Sequence, residues 1–195
     1  MQAPKSRKEL SHERIVEVAS RAIRRAGYQG VGVADIMKEA GLTHGGFYAH
    51  FDSRDQMLVE AMRHASREGG GALMEHVAQR EARGESRFRA LVEAYLADEQ
   101  LDNAECGCVV AALSSEMSRQ DEAVRDEARL RVLAVINAVR SALPNGVDSA
   151  RADAVAATLI GAMQMARTLG GKAGKALLAR SREALFQEYE SDRTG

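Results

Sequence analysis

The stretch from Val33 to Phe51, Val-Ala-Asp-Ile-Met-Lys-Glu-Ala-Gly-Leu-Thr-His-Gly-Gly-Phe-Tyr-Ala-His-Phe, restricts the fold of this chain more than any other. Val33, Ile36, Met37 and Ala40 recur at helical spacing and fall on one side of a short helix, which Gly41 breaks before Leu42 anchors the turn. Thr43 starts a second helix, where its hydroxyl is placed to accept a hydrogen bond from the free N–H groups of the next turn. Phe47 and Phe51, four apart, bury the inner face. Two short helices across a glycine turn predict a helix-turn-helix of the kind that reads double-stranded DNA. Thr43, His44, Gly45, Gly46, Tyr48 and His50 then face outward or along the rim. Adjacent glycines are poor helix formers. Their use at 45 and 46 points to the close approach of another backbone, or of a phosphate, at a helix start.

The flanks fit this reading. Residues 1 to about 10 hold Lys5, Arg7 and Lys8 without apolar periodicity, and predict a mobile arm, either a frayed terminus or a basic arm that reaches DNA. From Ser11 a helix carries Ile15, Val18, Ala19, Ala22, Ile23 and Ala26 on one buried face and ends at Gly27. Val33 opens the first motif helix and joins the candidate DNA contacts, although Gly32 before it offers no side-chain cap. After Phe51, Ser53-Arg54-Asp55-Gln56 is a capping box, so a new helix starts at about residue 53. Arg54, in its first turn, is expected to be exposed and to touch a phosphate. Met57, Leu58, Ala61, Met62 and Ala65 form the inner stripe of this helix, and Gly69-Gly70-Gly71 interrupts it or lets it bend.

Gly27-Tyr28, Ile36, Ala40-Gly41-Leu42-Thr43 and Gly45-Gly46-Phe47-Tyr48-Ala49-His50-Phe51 together resemble the N-terminal domain of the tetracycline-repressor (TetR) family. The Phe-Tyr-x-His-Phe ending, followed directly by a capped helix, is the most discriminating part of the match, which covers about a quarter of the chain. The resemblance implies a homodimer that binds a palindromic operator through these segments and releases it when a C-terminal domain senses a small molecule. In many relatives of that family a Thr or Ser stands where this chain has Gly32, so a side-chain cap and a candidate phosphate contact are missing here.

Composition supports an all-α fold. The 195 residues include only two prolines and 4% aromatics, while 45% hydrophobic content suffices for a core. No apolar run approaches the roughly 18 residues that span a bilayer, and no signal-peptide core stands at the N-terminus, so the cytoplasm is the expected location. The net charge of −1 hides an asymmetry: residues 1–67 carry 11 Lys and Arg against 8 Asp and Glu, and residues 68–195 carry 16 against 20. A basic head on an acidic body suits DNA binding, although a solvated helical surface can show the same imbalance.

The expected division is therefore a three-helix DNA-binding domain at 1–52 and a helical effector-binding and dimerisation domain at 53–195. Beyond residue 84 the apolar pattern predicts helices around Phe88 to Leu96, Val109 to Met117 and Asp121 to Leu143, the last stopped by Pro144-Asn145-Gly146. Asp148 can cap the next helix, which carries Ala152, Val155, Ala156, Leu159, Ile160 and Met163 on one face and Gly161, Ala162, Met165 and Leu169 on another. A helix apolar on two sides needs two partners. That helix and the final one, from about Lys172 to Tyr189, are the candidate dimer interface.

No catalytic arrangement emerges, since the five histidines lie on separate segments and no acid–base pair has motif spacing, so the chain is not read as an enzyme. The glycine triplet is no phosphate loop, because no Gly-Lys-Ser/Thr follows it. Cys106-Gly107-Cys108 is too short for a metal or thioredoxin pattern, and no metal or cofactor is expected. Cys106 leaves a redox-responsive regulator open as an alternative, with Glu105 disfavouring the thiolate; the bland alternative is a Cys108 buried in the core. Cys106 through Met117 also resembles a Gly-Cys-…-Leu-Ser-x-Glu pattern in the sensing domain of part of the TetR family. Candidate pocket residues for an unknown small-molecule effector are Met62, Tyr95, Cys108, Met117, Met163, Gln164 and Arg167, apolar or adaptable side chains on central helices.

Overall fold

A computed structural model describes residues 5–190, and the described residues are helical with no strand. Helix α1 (Arg7–Ala26) starts four residues earlier than its apolar stripe suggests. The reason is a capping box: the Glu9 N–H donates to Ser6 Oγ at 3.2 Å, and the Ser6 N–H donates to Glu9 Oε2 at 2.7 Å. Arg7 and Lys8 are thus helical and exposed, and Lys5 pairs with Glu13 at 2.5 Å. Residues 1–4 of the expected arm lie outside the described residues. Helix α2 (Val33–Glu39) follows, without a side-chain cap at Gly32.

The second motif helix is a 3₁₀ helix over His44–Ala49. Two glycines in six residues weaken α-helical hydrogen bonding, and tight i+3 bonds such as Gly46 N–H to Thr43 O (3.0 Å) and His50 N–H to Phe47 O (2.9 Å) close it instead. Thr43 precedes it with extended dihedrals, but its hydroxyl accepts no capping bond.

Helix α3 (Arg54–Glu81) is continuous for 28 residues, so the glycine triplet does not break it. Ser53 Oγ caps it by accepting from the Gln56 N–H at 3.1 Å, while Gln56 Oε1 reaches back to the Asp52 N–H, one residue earlier than the ordinary box. Then come α4 (Arg87–Tyr95), the short α5 (Glu99–Asp102), α6 (Val109–Met117), α7 (Glu122–Ala142), α8 (Arg151–Leu169) and α9 (Gly171–Glu190). Asp148 acts just ahead of α8, accepting from the Ala150 N–H at 2.9 Å.

Two buried clusters organise these helices. The first joins α1, α2, Phe47 and Phe51 to Met57, Leu58, Ala61, Met62 and Ala65 of α3 and to Val109, Leu113, Met117 and Val124. It runs across the expected boundary at 52/53, so the head is packed on the first turns of α3 and on α6. The second cluster joins the far half of α3 to α4, α7, α8 and α9 through Phe88, Leu91, Tyr95, Val155, Leu159, Leu178 and Phe186. No helix of the described residues is long and apolar enough to cross a membrane.

Candidate nucleic-acid interface and sensor cavity

Stacked rings hold the 3₁₀ helix on the head. Phe47 and Phe51 are 1% exposed, and their centroids lie 5.3 Å apart. His12 of α1 stacks on Phe51 at 4.6 Å and engages Glu60 of α3 through Nε2 at 2.7 Å. Tyr28 is fully buried and donates its hydroxyl to Met62 Sδ at 2.8 Å; burial pushes its pKa above the tyrosine range. With the inner face fixed in this way, the outer face presents Thr43, His44, Gly45 and Tyr48 to solvent. Tyr48 is 73% exposed for an aromatic residue, with its ring braced edge-on against Phe47 at 5.3 Å. A Cβ at Gly45 would meet nothing within 4 Å, and at Gly46 only ordinary contacts at 3.6 and 3.7 Å. Packing within the described residues therefore does not require glycine at either position.

The other candidate DNA residues are placed differently. Val33 and Gly46 are half-buried, Val33 against the head core. His50 is half-buried, and its Nδ1 is enclosed without a partner among the described residues. Burial, then the nearby His12 and Lys8, hold its pKa below the ordinary histidine value. Arg54 is a correction to its expected exposure: it is half-buried and donates through Nη2 to the carbonyl of Tyr28 and, at 3.5 Å, to that of Val31. It ties α3 to the turn before α2, because the 28–31 turn leaves carbonyls free for a side-chain donor.

The second cluster encloses a cavity of about 150 Å³ between the middle of α3, α4, the 103–108 loop, α7 and α8. Its wall includes Leu73, Leu91, Tyr95, Cys106, Gly107, Cys108, Arg131, Val135, Leu159, Met163 and Arg167. Of the residues expected there, Tyr95, Cys108, Met163 and Arg167 line it. Met62, Met117 and Gln164 do not. Met62 and Met117 belong to the head cluster, since α3 and α6 present their near ends to the head, and Gln164 donates to Ser114 Oγ at 2.7 Å. Arg131 and Gln100 were invisible in the sequence because nothing in helical spacing marks a half-buried polar residue as facing a cavity. The Tyr95 hydroxyl is buried without a hydrogen-bond partner among the described residues, and burial, then the nearby Cys108, pushes its pKa well above the ordinary value. Arg167 Nη2 donates to the Gln100 carbonyl at 3.1 Å, while Nε and Nη1 are enclosed and unpartnered among the described residues. Burial lowers its pKa. Cys106 is exposed and Cys108 half-buried, both as free thiols.

Three polar ties join the cavity-side segment to the head. Arg24 of α1, with no side-chain exposure, donates through Nη1 to the Gly107 carbonyl at 3.3 Å and through Nη2 to Glu68 at 2.7 Å. Arg25 meets Glu105 at 3.0 Å. The Tyr28 N–H donates to Glu116 of α6 at 3.0 Å. The only sequence signal for Arg24 is the spacing Val16-Ser20-Arg24, a line beside the main apolar stripe, and it does not separate Arg24 from the half-buried Arg21 and the exposed Arg25.

Comparison with known proteins accords with this geometry. Residues 15–61 match the family model described as bacterial regulatory proteins, tetR family. No curated protein sequence matches the chain. Among solved structures, a TetR-family regulator from Cytophaga hutchinsonii superposes with a TM-score of 0.77 at 17% identity, covering 98% of this chain and 100% of that one. One from Agrobacterium tumefaciens gives 0.73 at 22%, covering 91% and 98%. The reduced form of NemR from E. coli gives 0.69 at 23%, covering 89% and 95%. The family's model thus matches the head, and the fold of TetR-family regulators is shared along nearly the whole length of the chain.

Proposed function

We propose that the protein is an effector-released repressor, binding a palindromic operator in the cytoplasm as a homodimer through α8 and α9. The observation that carries this reading is the connection between cavity and head: Gly107 lines the cavity, and its carbonyl is held by Arg24 of α1. A molecule that displaces the 106–108 wall therefore pulls on the helix that braces the DNA-reading segment. On this reading residues 1–52 are the DNA-binding head, and Thr43, His44, Gly45, Gly46 and Tyr48 meet the duplex. The dimer half of the proposal is supported by the outer face of α8 and α9. Ala157, Met165, Leu169, Ala173, Ala176 and Ala184 are exposed there, whereas Leu178, Leu185 and Phe186 turn inward. Met165 and Leu169 stand 56% and 55% exposed, an apolar pair that a second copy would cover.

Two heads in a dimer must meet major grooves about 34 Å apart, so a small change in their separation lowers affinity for a rigid duplex. A coupling of roughly 1–3 kcal/mol corresponds to about 5- to 150-fold weaker operator binding. A thermal-shift screen of small molecules, followed by operator titration with each hit, tests the proposal. Hits that stabilise the protein and weaken operator binding are expected. Hits that stabilise it and leave operator affinity unchanged would count against effector control.

A second reading, release by oxidation of Cys106, is favoured by one observation. Cys106 is exposed on the cavity wall, and the adjacent Glu105 is paired with Arg25, which offsets its negative charge. Release by a mild oxidant that is abolished in Cys106→Ser would select this reading.

A further inference from the structure

We infer that the effector of this regulator is a compact monoanion, a carboxylate or similar group on an apolar body of about benzene size, with its charge held by Arg167. The inference rests on the effector reading above and deepens it.

Two arginines line the cavity, Arg131 and Arg167, and a third, Arg24, holds the carbonyl of its wall residue Gly107; Arg24 and Arg131 are each paired with a carboxylate. Arg24 pairs with Glu68 at 2.7 Å and Arg131 with Glu127 at 3.0 Å. Among the described residues Arg167 has no such partner. Among the described residues the titratable groups that act on it are Tyr95, Cys108 and Arg24, none of them a carboxylate, and its guanidinium donates to the Gln100 carbonyl. Its Nε and Nη1 donors are enclosed and unused among the described residues. Tyr95, only 6% exposed, lines the same cavity, and its hydroxyl has the Cys108 thiol as its polar neighbour.

A buried guanidinium with idle donors and no counter-charge is costly, and buried charges are ordinarily paired. A neutral carbonyl could occupy the donors but would leave the charge uncompensated. An anion does both, and the charge-assisted bonds it makes are the stronger kind. The rest of the wall sets the body of the ligand. Leu159, Met163, Val135 and Val139 are apolar, and about 150 Å³ is a volume that accommodates a molecule of roughly benzene size. A dianionic phosphate would bring more acceptors than these donors serve.

The same arginine has a route to the head. A Cβ at position 107 would stand 2.7 Å from Arg167 Nη2, so the guanidinium lies against bare backbone that only glycine provides. An anion that draws Arg167 toward itself changes this contact, at the residue whose carbonyl Arg24 holds.

Benzoate and its uncharged analogue benzamide are suitable probes, each titrated into the full-length protein with thermal shift and operator affinity as readouts. In the wild type, benzoate should stabilise the protein and weaken operator binding, with benzamide binding at least about tenfold more weakly. Arg167→Met should cut benzoate affinity at least about tenfold and leave benzamide nearly unchanged, and Arg167→Lys should restore part of the loss. Tyr95→Phe removes only a hydroxyl, should cost several-fold, and keeps the test alive if Arg167→Met does not fold. Benzamide binding as tightly as benzoate and releasing the operator would overturn the anion inference while leaving effector control standing. Binding of neither probe overturns the anion inference as well, and the wider screen for operator release then judges effector control separately.

Discussion

Replacing Arg24 with methionine would sever the firmest tie between the cavity and the head, and its cost can be worked from the contacts. Among the described residues Arg24 makes four hydrogen bonds. Two go to Ser20 within α1, at 3.0 and 3.2 Å, and their loss is local. The bond to Glu68 is charge-assisted, but Glu68 is 42% exposed and rehydrates when released, so its loss costs at most about 1 kcal/mol. The Gly107 carbonyl belongs to a buried residue and is left without this donor, which costs about 1–3 kcal/mol. Methionine fills most of the vacated volume and relieves the burial of a charge, which offsets part of the sum. A net loss of roughly 1–3 kcal/mol follows, and for a chain of this length each kcal/mol lowers Tm by about 2–4 °C. Calorimetry should therefore show a fall of roughly 2–12 °C. Operator titration should find effector-free affinity within about threefold of wild type, with effector-driven release reduced toward none, because a coupling free energy exists only where two states are held differently. An unchanged Tm would refute the energetics, and undiminished release would refute the relay.

The other tests are simpler. Tyr48→Phe should weaken binding to operator and to scrambled duplex alike, whereas His44→Ala should change which bases are preferred; selection from a randomised half-site distinguishes them, and the reverse pattern would swap the two roles. Gly161→Glu combined with Met165→Glu should convert a dimer to a monomer in sedimentation, and a double variant that remains dimeric would place the interface elsewhere. His50 is held below its ordinary value of 6.5, so folding favours its neutral form. Its contribution is complete above about pH 6.5 and is lost as pH falls through that value toward the lower folded pKa, because the unfolded chain takes up the proton first. His50→Gln should flatten the stability profile below pH 6.5, and an unaltered slope in thermal melts would contradict this.

Apolar spacing made the long helices and the ring-packed head legible in the sequence. Phe47, Phe51, Ile36 and Met37 are buried as a one-sided pattern requires, and Pro144-Asn145-Gly146 does end α7. Misplacements arose where polar chemistry overrode the pattern. The Ser6–Glu9 box pulled the start of α1 outward, and its two residues are visible in the sequence although they lie outside the apolar stripe. Gly69 to Gly71 suggested a break, but glycine costs an α-helix only about 1 kcal/mol each, and the packing on either side of α3 exceeds that. Arg54 and Arg24 show the harder limit. An arginine on a helix reads as solvated, and only the folded chain reveals which carbonyl it reaches, 23 to 26 residues away for Arg54 and 83 for Arg24. The lining of the cavity is only partly legible for the same reason. Tyr95, Cys108, Met163 and Arg167 face it, while Met62 and Met117 are just as apolar and face the other cluster, a difference set by how α3 and α6 cross the molecule rather than by residue type.

The central claim, that the 3₁₀ segment His44–Ala49 and its flanks make this chain a sequence-specific DNA-binding regulator, is tested most directly by competition. A labelled duplex from the upstream region of the chain's own coding sequence is bound at fixed salt and challenged with the same duplex unlabelled or with a scrambled one. The account predicts displacement by the native duplex at concentrations at least about a thousandfold below those needed for the scrambled competitor, the usual margin of specific over non-specific binding. Equal displacement by both would contradict it.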